Sequence, residues 1–217
     1  MFPYVKNYII KLSVDKNNIM FYYLIIKGEK GDRSLTIKSW VKKEEKLIFQ
    51  KFGKWLRSVI FIDPYGKEQE FILFGQKDWV TIFALTPDNQ VLTVRQFKQG
   101  CNKVIQELPA GTEKYEGEPK RKVAIRELTE ETGYRAEEIV ALSPAMWIAS
   151  RNSPTRFYCF LATGCVKERE PRKDVSEEIE VQLVPLAEWV EMCYSEIEEP
   201  SAVVATFRAL KALAINL

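Results

Sequence analysis

Histidine is absent from the 217 residues of this chain, and its absence narrows the chemistry that the chain can perform. Without an imidazole, neither a Ser-His-Asp nor a Cys-His catalytic group can form, and a common zinc ligand is missing. Acid–base or metal chemistry must therefore be carried by carboxylates, lysines, tyrosines or bound water.

Long apolar runs are also missing, because no stretch approaches the roughly 18 residues that suggest a membrane-spanning helix. The opening residues, MFPYVKNYII, lack the layout of a secretory signal. The four cysteines, Cys101, Cys159, Cys165 and Cys193, contain no CxxC pair and are typical of reduced intracellular thiols. We therefore expect a cytoplasmic protein that does not bind membranes.

A strong excess of charge of one sign is lacking as well. The 32 lysines and arginines nearly balance 30 acidic residues, which leaves a net charge of +2. A nucleic-acid-binding domain usually carries a clustered basic surface, so we expect no nucleic-acid partner. The composition is 46% hydrophobic and 29% charged, as in ordinary globular proteins, and the length suggests one core with an extension.

Segments rich in β-branched and aromatic residues dominate the first half and predict successive strands. These segments are 21–27, 35–41, 46–52, 56–63, 69–74, 79–86 and 90–97. Turn residues separate several of them, at 28–32, Gly53, 63–66 and 87–89.

The first long helix is predicted over 119–132, with Pro119 at its first position and Gly133 just past its end. Strands at 157–163 and 179–184, a helix from Pro185 and a helix over 201–217 complete the chain, and the charged segment 166–176 is predicted to be a mobile loop. This order of elements predicts an α+β or layered α/β fold.

Glutamates gather on one face of the first long helix. Glu127 shares a face with Glu130 and Glu131, and like charges at this spacing destabilise a helix by roughly 0.2–0.5 kcal/mol per pair. Arg126 can offset part of the repulsion, and a hard divalent cation such as Mg²⁺ can offset the remainder. The alternative is a solvated acidic helix face with incidental salt bridges.

The residues around these glutamates favour the explanation that the helix binds a cation over that of a solvated acidic face. They are Gly111, Glu118, Arg126, Glu127, Leu128, Glu130, Glu131, Gly133 and Tyr134. This set resembles the Nudix box, in which Gly, five residues, Glu and seven residues precede Arg-Glu-aliphatic-x-Glu-Glu-x-Gly-aliphatic. Here six residues separate Gly111 from Glu118. The additional residue falls in the loop before the helix, so we expect the carboxylate geometry to survive.

The resemblance implies a role for each residue of the motif. Glu127 and Glu131 would be the principal ligands of Mg²⁺, for which Mn²⁺ can substitute, with Glu130 alongside and the Ala110 carbonyl contributing. Arg126 would orient the glutamates. Structural roles are implied for Gly111, Glu118 and Gly133.

The flanking residues resemble the ADP-ribose pyrophosphatase branch of the Nudix hydrolases. The strand end at 95–98 (Arg-Gln-Phe-Lys) leads to Glu-Leu-Pro-Ala-Gly at 107–111, with Lys98 where that branch often has arginine. The resemblance implies an α/β/α sandwich with a mixed sheet over 76–217. It also implies an N-terminal antiparallel β subdomain over 1–75 that helps to bind the base and forms a homodimer.

Several residues are candidates for substrate binding. Trp40 or Trp55 could stack on adenine, although each could instead be a core or interface aromatic. Arg57 could bind phosphate or ribose, or could be a surface charge. Arg95 and Lys98 are phosphate candidates. Glu107 is a candidate ligand of ribose or of a metal-bound water.

A general base is still required, and the resemblance places it in a late loop, where Glu177 is preferred over Glu178. A charged loop before an edge strand would give the same residues. Met146, Trp147 and the segment 150–156 are expected to line the sugar side.

We therefore expect Mg²⁺-dependent hydrolysis of ADP-ribose, or of a related nucleoside diphosphate sugar, to a nucleoside monophosphate and a sugar phosphate. The alternatives are a GDP-mannose or broad nucleotide-sugar pyrophosphatase, and a Nudix domain that senses nucleotides without catalysis.

Overall fold

The computed structural model describes residues 9–14, 20–25, 37–172 and 178–215. The chain divides into two compact units, Met1–Ser39 and Trp40–Leu217. In the first unit, β1 (Ile9–Val14) and β2 (Met20–Ile25) pair antiparallel. The turn predicted at 28–32 lies outside the described residues.

The second unit begins with an antiparallel sheet of three strands, β3 (Val41–Lys51), β4 (Lys54–Ile62) and β5 (Glu68–Gly75). Separate strands were predicted at 35–41 and 46–52, and this prediction is wrong for the described residues. Residues 37–40 have no regular structure, and 41–51 form one strand. The charged residues 42–46 gave no indication of one continuous strand. Every residue of β3 is exposed, so apolar and polar residues do not alternate along it.

The predicted turn at Asp63 to Gly66 is confirmed. The Asp63 carboxylate accepts hydrogen bonds from the backbone N–H groups of Tyr65 and Lys67, both at 2.9 Å. Gly66 has a φ of 85°, a conformation that glycine adopts without steric cost.

A mixed sheet forms the centre of the second unit. Its strands in the described part of the chain are β6 (Trp79–Leu85), β7 (Gln90–Lys98), β8 (Lys103–Glu107), β9 (Ala110–Thr112), β11 (Glu138–Trp147), β12 (Arg156–Thr163) and β14 (Ile179–Pro185). The main order is β11-β12-β6-β7-β14, with β12 and β6 parallel.

A gap opens in this sheet between β6 and β7. The two strands pair at Ala84–Leu92 and Leu85–Val91, next to the turn that joins them. Farther from the turn, β6 pairs with β9 and β7 pairs with β8. The strands β8 and β9 therefore lie in the gap between β7 and β6, and they place Glu107 and Ala110 at its edges.

Two further short strands, β10 (Tyr134–Arg135) and β13 (Val166–Lys167), pair with each other. The loop predicted at 166–176 is therefore wrong at its start, and residues 173–176 lie outside the described residues. The ten-residue strand β11 was not predicted. Pro144 and a register shift between Leu142 and Met146 interrupt its pattern.

Helices cover both faces of the sheet. They are α1 (Lys120–Thr132), α2 (Leu186–Ser195) and α3 (Pro200–Ala212). Alternate residues of β6 point to opposite faces, so Val80 and Ile82 share a core with α1, whereas Phe83 shares a core with α2 and α3. The predicted fold class, an α/β/α sandwich with a mixed sheet preceded by an antiparallel sheet, is confirmed.

The bounds of α1 agree closely with the prediction, although Pro119 is the N-cap and not the first helical residue. Gly133 ends the helix with a φ of 76°, and its N–H donates to the Thr129 carbonyl. Within the residues described, none of the helices has the length and apolar character needed to cross a membrane. All four cysteines are free thiols, and Cys101 is the exposed one.

Candidate active site

Glu127 lies directly over Gly111. The helix α1 faces β9 at this point, and a Cβ atom on Gly111 would overlap the Glu127 carboxylate. Burial raises the pKa of Glu127, in opposition to the hydrogen bond from Arg126. The glycine therefore makes the space in which this carboxylate lies against the strand.

Glu131 is the most buried glutamate of the helix, with 9% of its surface exposed. Its Oε2 accepts a hydrogen bond of 3.0 Å from the Ala110 N–H. Burial raises the pKa of Glu131 well above its usual value, and the charges of Glu127 and Glu107 raise it further. A carboxylate in this position is destabilised when charged unless a cation is near.

Arg126 connects the motif residues. Its Nη1 donates to Glu127 at 2.7 Å and to Glu130 at 3.1 Å. Its Nη2 donates to the Thr112 carbonyl at 2.7 Å and lies 3.4 Å from the Glu118 carboxylate. One guanidinium thus fixes the loop and the helix with respect to each other.

The additional residue of the loop 112–117 does not displace Glu118 from Arg126. The Glu118 carboxylate also accepts a hydrogen bond of 2.8 Å from the Lys114 N–H, which lowers the pKa of Glu118. Gly117, with a φ of 81°, allows the chain to turn back towards the helix.

Glu130 differs from its two neighbours because it is surrounded by cations. Lys114 lies at 2.8 Å, Arg126 at 3.1 Å and Arg172 at 3.7 Å from its carboxylate oxygens. Burial raises the pKa of Glu130, but hydrogen bonds from Lys114 and Arg126 outweigh this effect and leave the pKa below its usual value.

Glu107 joins the cluster from β8. Only 4% of its surface is exposed, and its Oε1 is 2.6 Å from both Gln96 Nε2 and Lys98 Nζ. Burial raises the pKa of Glu107 and outweighs these contacts. Because both partners bind Oε1, Oε2 is left for another ligand.

Neighbouring cations and N–H groups hold the carboxylates in their present positions. Among the described residues, no three acidic or sulfur side chains are already spaced to hold a metal ion. Arg126, Lys114, Lys98 and the Ala110 N–H occupy those oxygens instead. The donor set itself suits a hard cation such as Mg²⁺, which binds one or two carboxylates and keeps several waters.

A cavity of about 590 Å³ lies at the gap between β6 and β7, beside Glu107. Glu107, Ala110 and Gly111 line it, and so does Lys98. The structure therefore brings together most of the predicted motif residues with two of the predicted substrate-binding residues, Lys98 and Glu107.

Arg95 is not part of this group. It lies on the opposite side of β7 from Lys98, is exposed, and its Nη1 is 3.5 Å from Glu180 on β14. Strand alternation explains the difference, because successive side chains of a strand point to opposite faces.

The two candidate stacking tryptophans lie on or near the three-stranded sheet. Trp40 lines a second cavity, of about 540 Å³, together with Phe71 and Trp147. The Arg57 guanidinium lies 4.3 Å from the Trp55 ring, and the ring also packs against Gly75. Arg57 is in turn paired with Glu45, so Trp55 already has a stacking partner.

The predicted base, Glu177, lies outside the described residues. Glu178 is exposed immediately before β14. Sequence reasoning missed Lys114 as a partner of Glu130 and Gln96 as a partner of Glu107. The alternation of β7, which places Gln96 and Lys98 on one side, was the available signal for Gln96.

The layered fold matches a solved structure titled "Crystal structure of ADP compounds hydrolase", with a TM-score of 0.72 and 18% identity. The match covers 83% of this chain and 98% of that chain. At this identity the likeness establishes the fold alone. A family model for the NUDIX domain matches residues 75–202. The chain therefore belongs to the NUDIX domain family.

Two curated proteins are similar in sequence. The chain is 29% identical to the ADP-ribose pyrophosphatase of Bacillus subtilis (strain 168) over 133 residues, which is 61% of this chain and 71% of the relative. It is 36% identical to the methanol dehydrogenase activator of Bacillus methanolicus over 76 residues, or 35% and 40% of the two chains. The resemblance to the ADP-ribose pyrophosphatase-like branch is confirmed.

Proposed function

We propose that this chain is a Mg²⁺-dependent hydrolase that cleaves the pyrophosphate of ADP-ribose or of a related nucleoside diphosphate sugar. The products are a nucleoside monophosphate and a sugar phosphate. The observation that carries the proposal is that Glu107, Ala110 and Gly111 line an open cavity, while Glu131 is hydrogen-bonded to the Ala110 N–H and Glu127 lies against Gly111. Burial raises the pKa of all three glutamates.

Glu127 and Glu131 would hold the cation, with Glu130 alongside and the Ala110 carbonyl contributing, and Mn²⁺ would serve in place of Mg²⁺. When bound, the cation neutralises phosphate oxygens and lowers the pKa of a bound water. The Ala110 N–H and Gly111 keep the two principal carboxylates against β9.

Lys98 and Arg126 have separate tasks in this proposal. Lys98 carries three N–H donors, of which one faces Glu107, so the others can bind a phosphate oxygen. Arg126 orients Glu127 and Glu130 and does not reach the substrate. Glu130 must exchange Lys114 for the cation if it is to act as a ligand.

Residues at both ends of the substrate complete the proposal. Glu177, with Glu178 as the alternative, would accept the proton of the attacking water. Residues 1–75 would help to bind the base and form a homodimer, with Trp40, Trp55 or Arg57 contributing, and 76–217 would be the hydrolase domain. Arg95, the other phosphate candidate, lies beside Glu180 and away from this group. The partner is a small nucleotide-sugar, and we expect no nucleic-acid or membrane partner.

The similarity to a protein named ADP-ribose pyrophosphatase supports the choice of substrate. A GDP-mannose or broad nucleotide-sugar pyrophosphatase remains the alternative among enzymes. A sensor without catalysis is disfavoured, because Glu127, Glu130 and Glu131 are all present, and Glu127 and Glu131 contact Gly111 and Ala110, which line the cavity.

A substrate panel tests the proposal. The chain is incubated with Mg²⁺ and ADP-ribose, GDP-mannose or other nucleoside diphosphate sugars, and the products are separated by chromatography. We expect AMP and ribose 5-phosphate from ADP-ribose, and a loss of turnover by orders of magnitude in Glu131→Gln with the fold intact. Glu116→Gln, at an exposed residue of the adjoining loop, is the control. Unchanged turnover in Glu131→Gln would contradict the mechanism.

A further inference from the structure

The cavity extends from Glu107 towards the connection between α2 and α3. Its wall there is formed by Trp79, Glu198 and Glu199. None of them belongs to the Nudix motif.

Trp79 forms a flat apolar wall of the cavity. It is the first residue of β6, and one face of its ring stacks on Phe157, with centroids 5.8 Å apart and the planes inclined by 21°. Phe157 is buried and therefore fixes the indole. The partly exposed ring is thus presented to the cavity in one orientation.

Glu199 is fixed as firmly as Trp79. Its Oε1 accepts hydrogen bonds from the Ser201 N–H at 3.2 Å and from the Ser201 hydroxyl at 2.9 Å. The Thr81 hydroxyl lies 3.1 Å from the same Ser201 hydroxyl in a buried contact. These contacts engage Oε1, so Oε2 can accept hydrogen bonds from a ligand.

Glu198 lies at the rim and is paired with Lys103. Lys98 and Lys103 also line the cavity and pair with Glu107 and Glu198, so the three glutamates exceed the two lysines by one negative charge. The Glu199 charge is close enough to raise the pKa of Glu107. An anionic polyphosphate tail would be repelled here. A neutral ring with hydroxyl groups would not be, because carboxylates are strong acceptors for hydroxyl donors.

We propose that this end of the cavity binds the sugar attached to the distal phosphate, with Trp79 against the apolar face of the ring and Glu199 and Glu198 accepting its hydroxyl hydrogens. The inference rests on the proposed function and assigns one half of its substrate. It replaces the expectation that Trp147 and the segment 150–156 line the sugar side, because Trp147 and Ser150 line the cavity of Trp40 instead. It predicts selection for a nucleoside diphosphate sugar over a nucleoside triphosphate.

The test uses ribose 5-phosphate alone as the probe, with the Mg²⁺-loaded chain and ligand-observed NMR. We expect Glu199→Gln to weaken its binding about tenfold or more, the size of effect typical of a lost charged hydrogen bond. Trp79→Leu should weaken it about two- to tenfold, as for a lost aromatic contact. Glu199→Gln keeps an acceptor for Ser201, so it retains the cap of α3. Glu196→Gln, an exposed glutamate of the same connection that does not line the cavity, is the matched control.

Equal binding of ribose 5-phosphate to the wild type and to both variants would overturn the assignment, as would no binding to the wild type at millimolar concentration. Product inhibition gives a second readout, since inhibition by AMP should stay within about twofold in the variants. In the variants, a larger loss of inhibition by AMP than of inhibition by ribose 5-phosphate would place the nucleotide here instead. Failure of the proposed function is distinct, because it requires that the wild type hydrolyse nothing in the substrate panel.

Discussion

Gly111 and Glu127 lie in such close contact that a methyl group on the glycine would occupy the position of the carboxylate. The two residues are on different elements, β9 and α1, and strand pairing places Gly111 opposite Val80 on the face that α1 covers. The glycine of the Nudix motif therefore leaves room for the Glu127 carboxylate, the proposed metal ligand, although its own backbone is unstrained.

Gly111→Ala tests this relationship. The clash is with the end of a flexible side chain, so the variant should fold with little loss of stability while Glu127 moves away from β9. We expect weaker Mg²⁺ binding in calorimetry and turnover reduced by at least about tenfold, the effect of a misplaced catalytic group. Wild-type activity in Gly111→Ala would mean that the position of Glu127 seen here is not required.

Gly133→Ala should behave in the opposite way and destabilise the fold. Gly133 has a positive φ, and a Cβ would meet the backbone carbonyl of Arg169, which cannot move aside as a side chain can. Gly66→Ala is the matched control, with a positive φ and open space. Urea denaturation should show a loss of about 1–2 kcal/mol for Gly66→Ala and a larger loss for Gly133→Ala. Equal losses would show that the contact with Arg169 is unimportant.

Local sequence rules were sufficient to predict α1, because its ends depend on Pro119 and Gly133 and its faces on a spacing of three and four residues. They were insufficient for β8 and β11. The strand β8 is short and carries both Lys103 and Glu107, so its pairing with β7 depends on tertiary contacts.

The candidate site, like the fold, could be predicted from the sequence only in part. The motif glutamates were found because their spacing is local. The contacts of Glu107 with Gln96 and Lys98 follow from the register between β7 and β8, which no local sequence pattern predicts. Trp79 and Glu199, which are far apart in sequence, meet at the cavity only through the fold.

The stability of the metal-free protein should depend on pH through Glu131. Its folded-state pKa is raised above the unfolded value of about 4.5. The folded state therefore binds more protons in this window, and the free energy of unfolding falls as the pH rises from the unfolded to the folded pKa. The glutamine of the Glu131→Gln variant cannot ionise. The free energy of unfolding of this variant should therefore not show the part of the decline that Glu131 causes.

Urea denaturation with a chelator, from about pH 5 to about pH 8, measures the effect. The curves of the wild type and of Glu131→Gln should diverge as the pH rises, with the variant the more stable at the upper end. Glu116→Gln, at an exposed position, should follow the wild type. Parallel curves for wild type and Glu131→Gln would contradict the claim that this buried charge is unfavourable.

Lys114 should compete with the metal for Glu130. Its Nζ lies 2.8 Å from the Glu130 carboxylate, and 55% of the lysine side chain is exposed. Lys114→Gln should therefore tighten Mg²⁺ binding only modestly, by about two- to fivefold, as expected for an exposed ion pair. Lys122→Gln, an exposed lysine on the same helix, serves as the control. Looser Mg²⁺ binding in Lys114→Gln would assign the lysine a supporting role.

The most direct test of the metal site is anomalous diffraction from crystals soaked in Mn²⁺ with a non-hydrolysable ADP-ribose analogue. The account predicts an anomalous peak about 2.0–2.3 Å from carboxylate oxygens of Glu127 and Glu131, with the analogue's diphosphate bound to the same ion. The account is contradicted if the diphosphate is bound while both carboxylates keep only the Arg126 and Ala110 contacts and no ion lies between them.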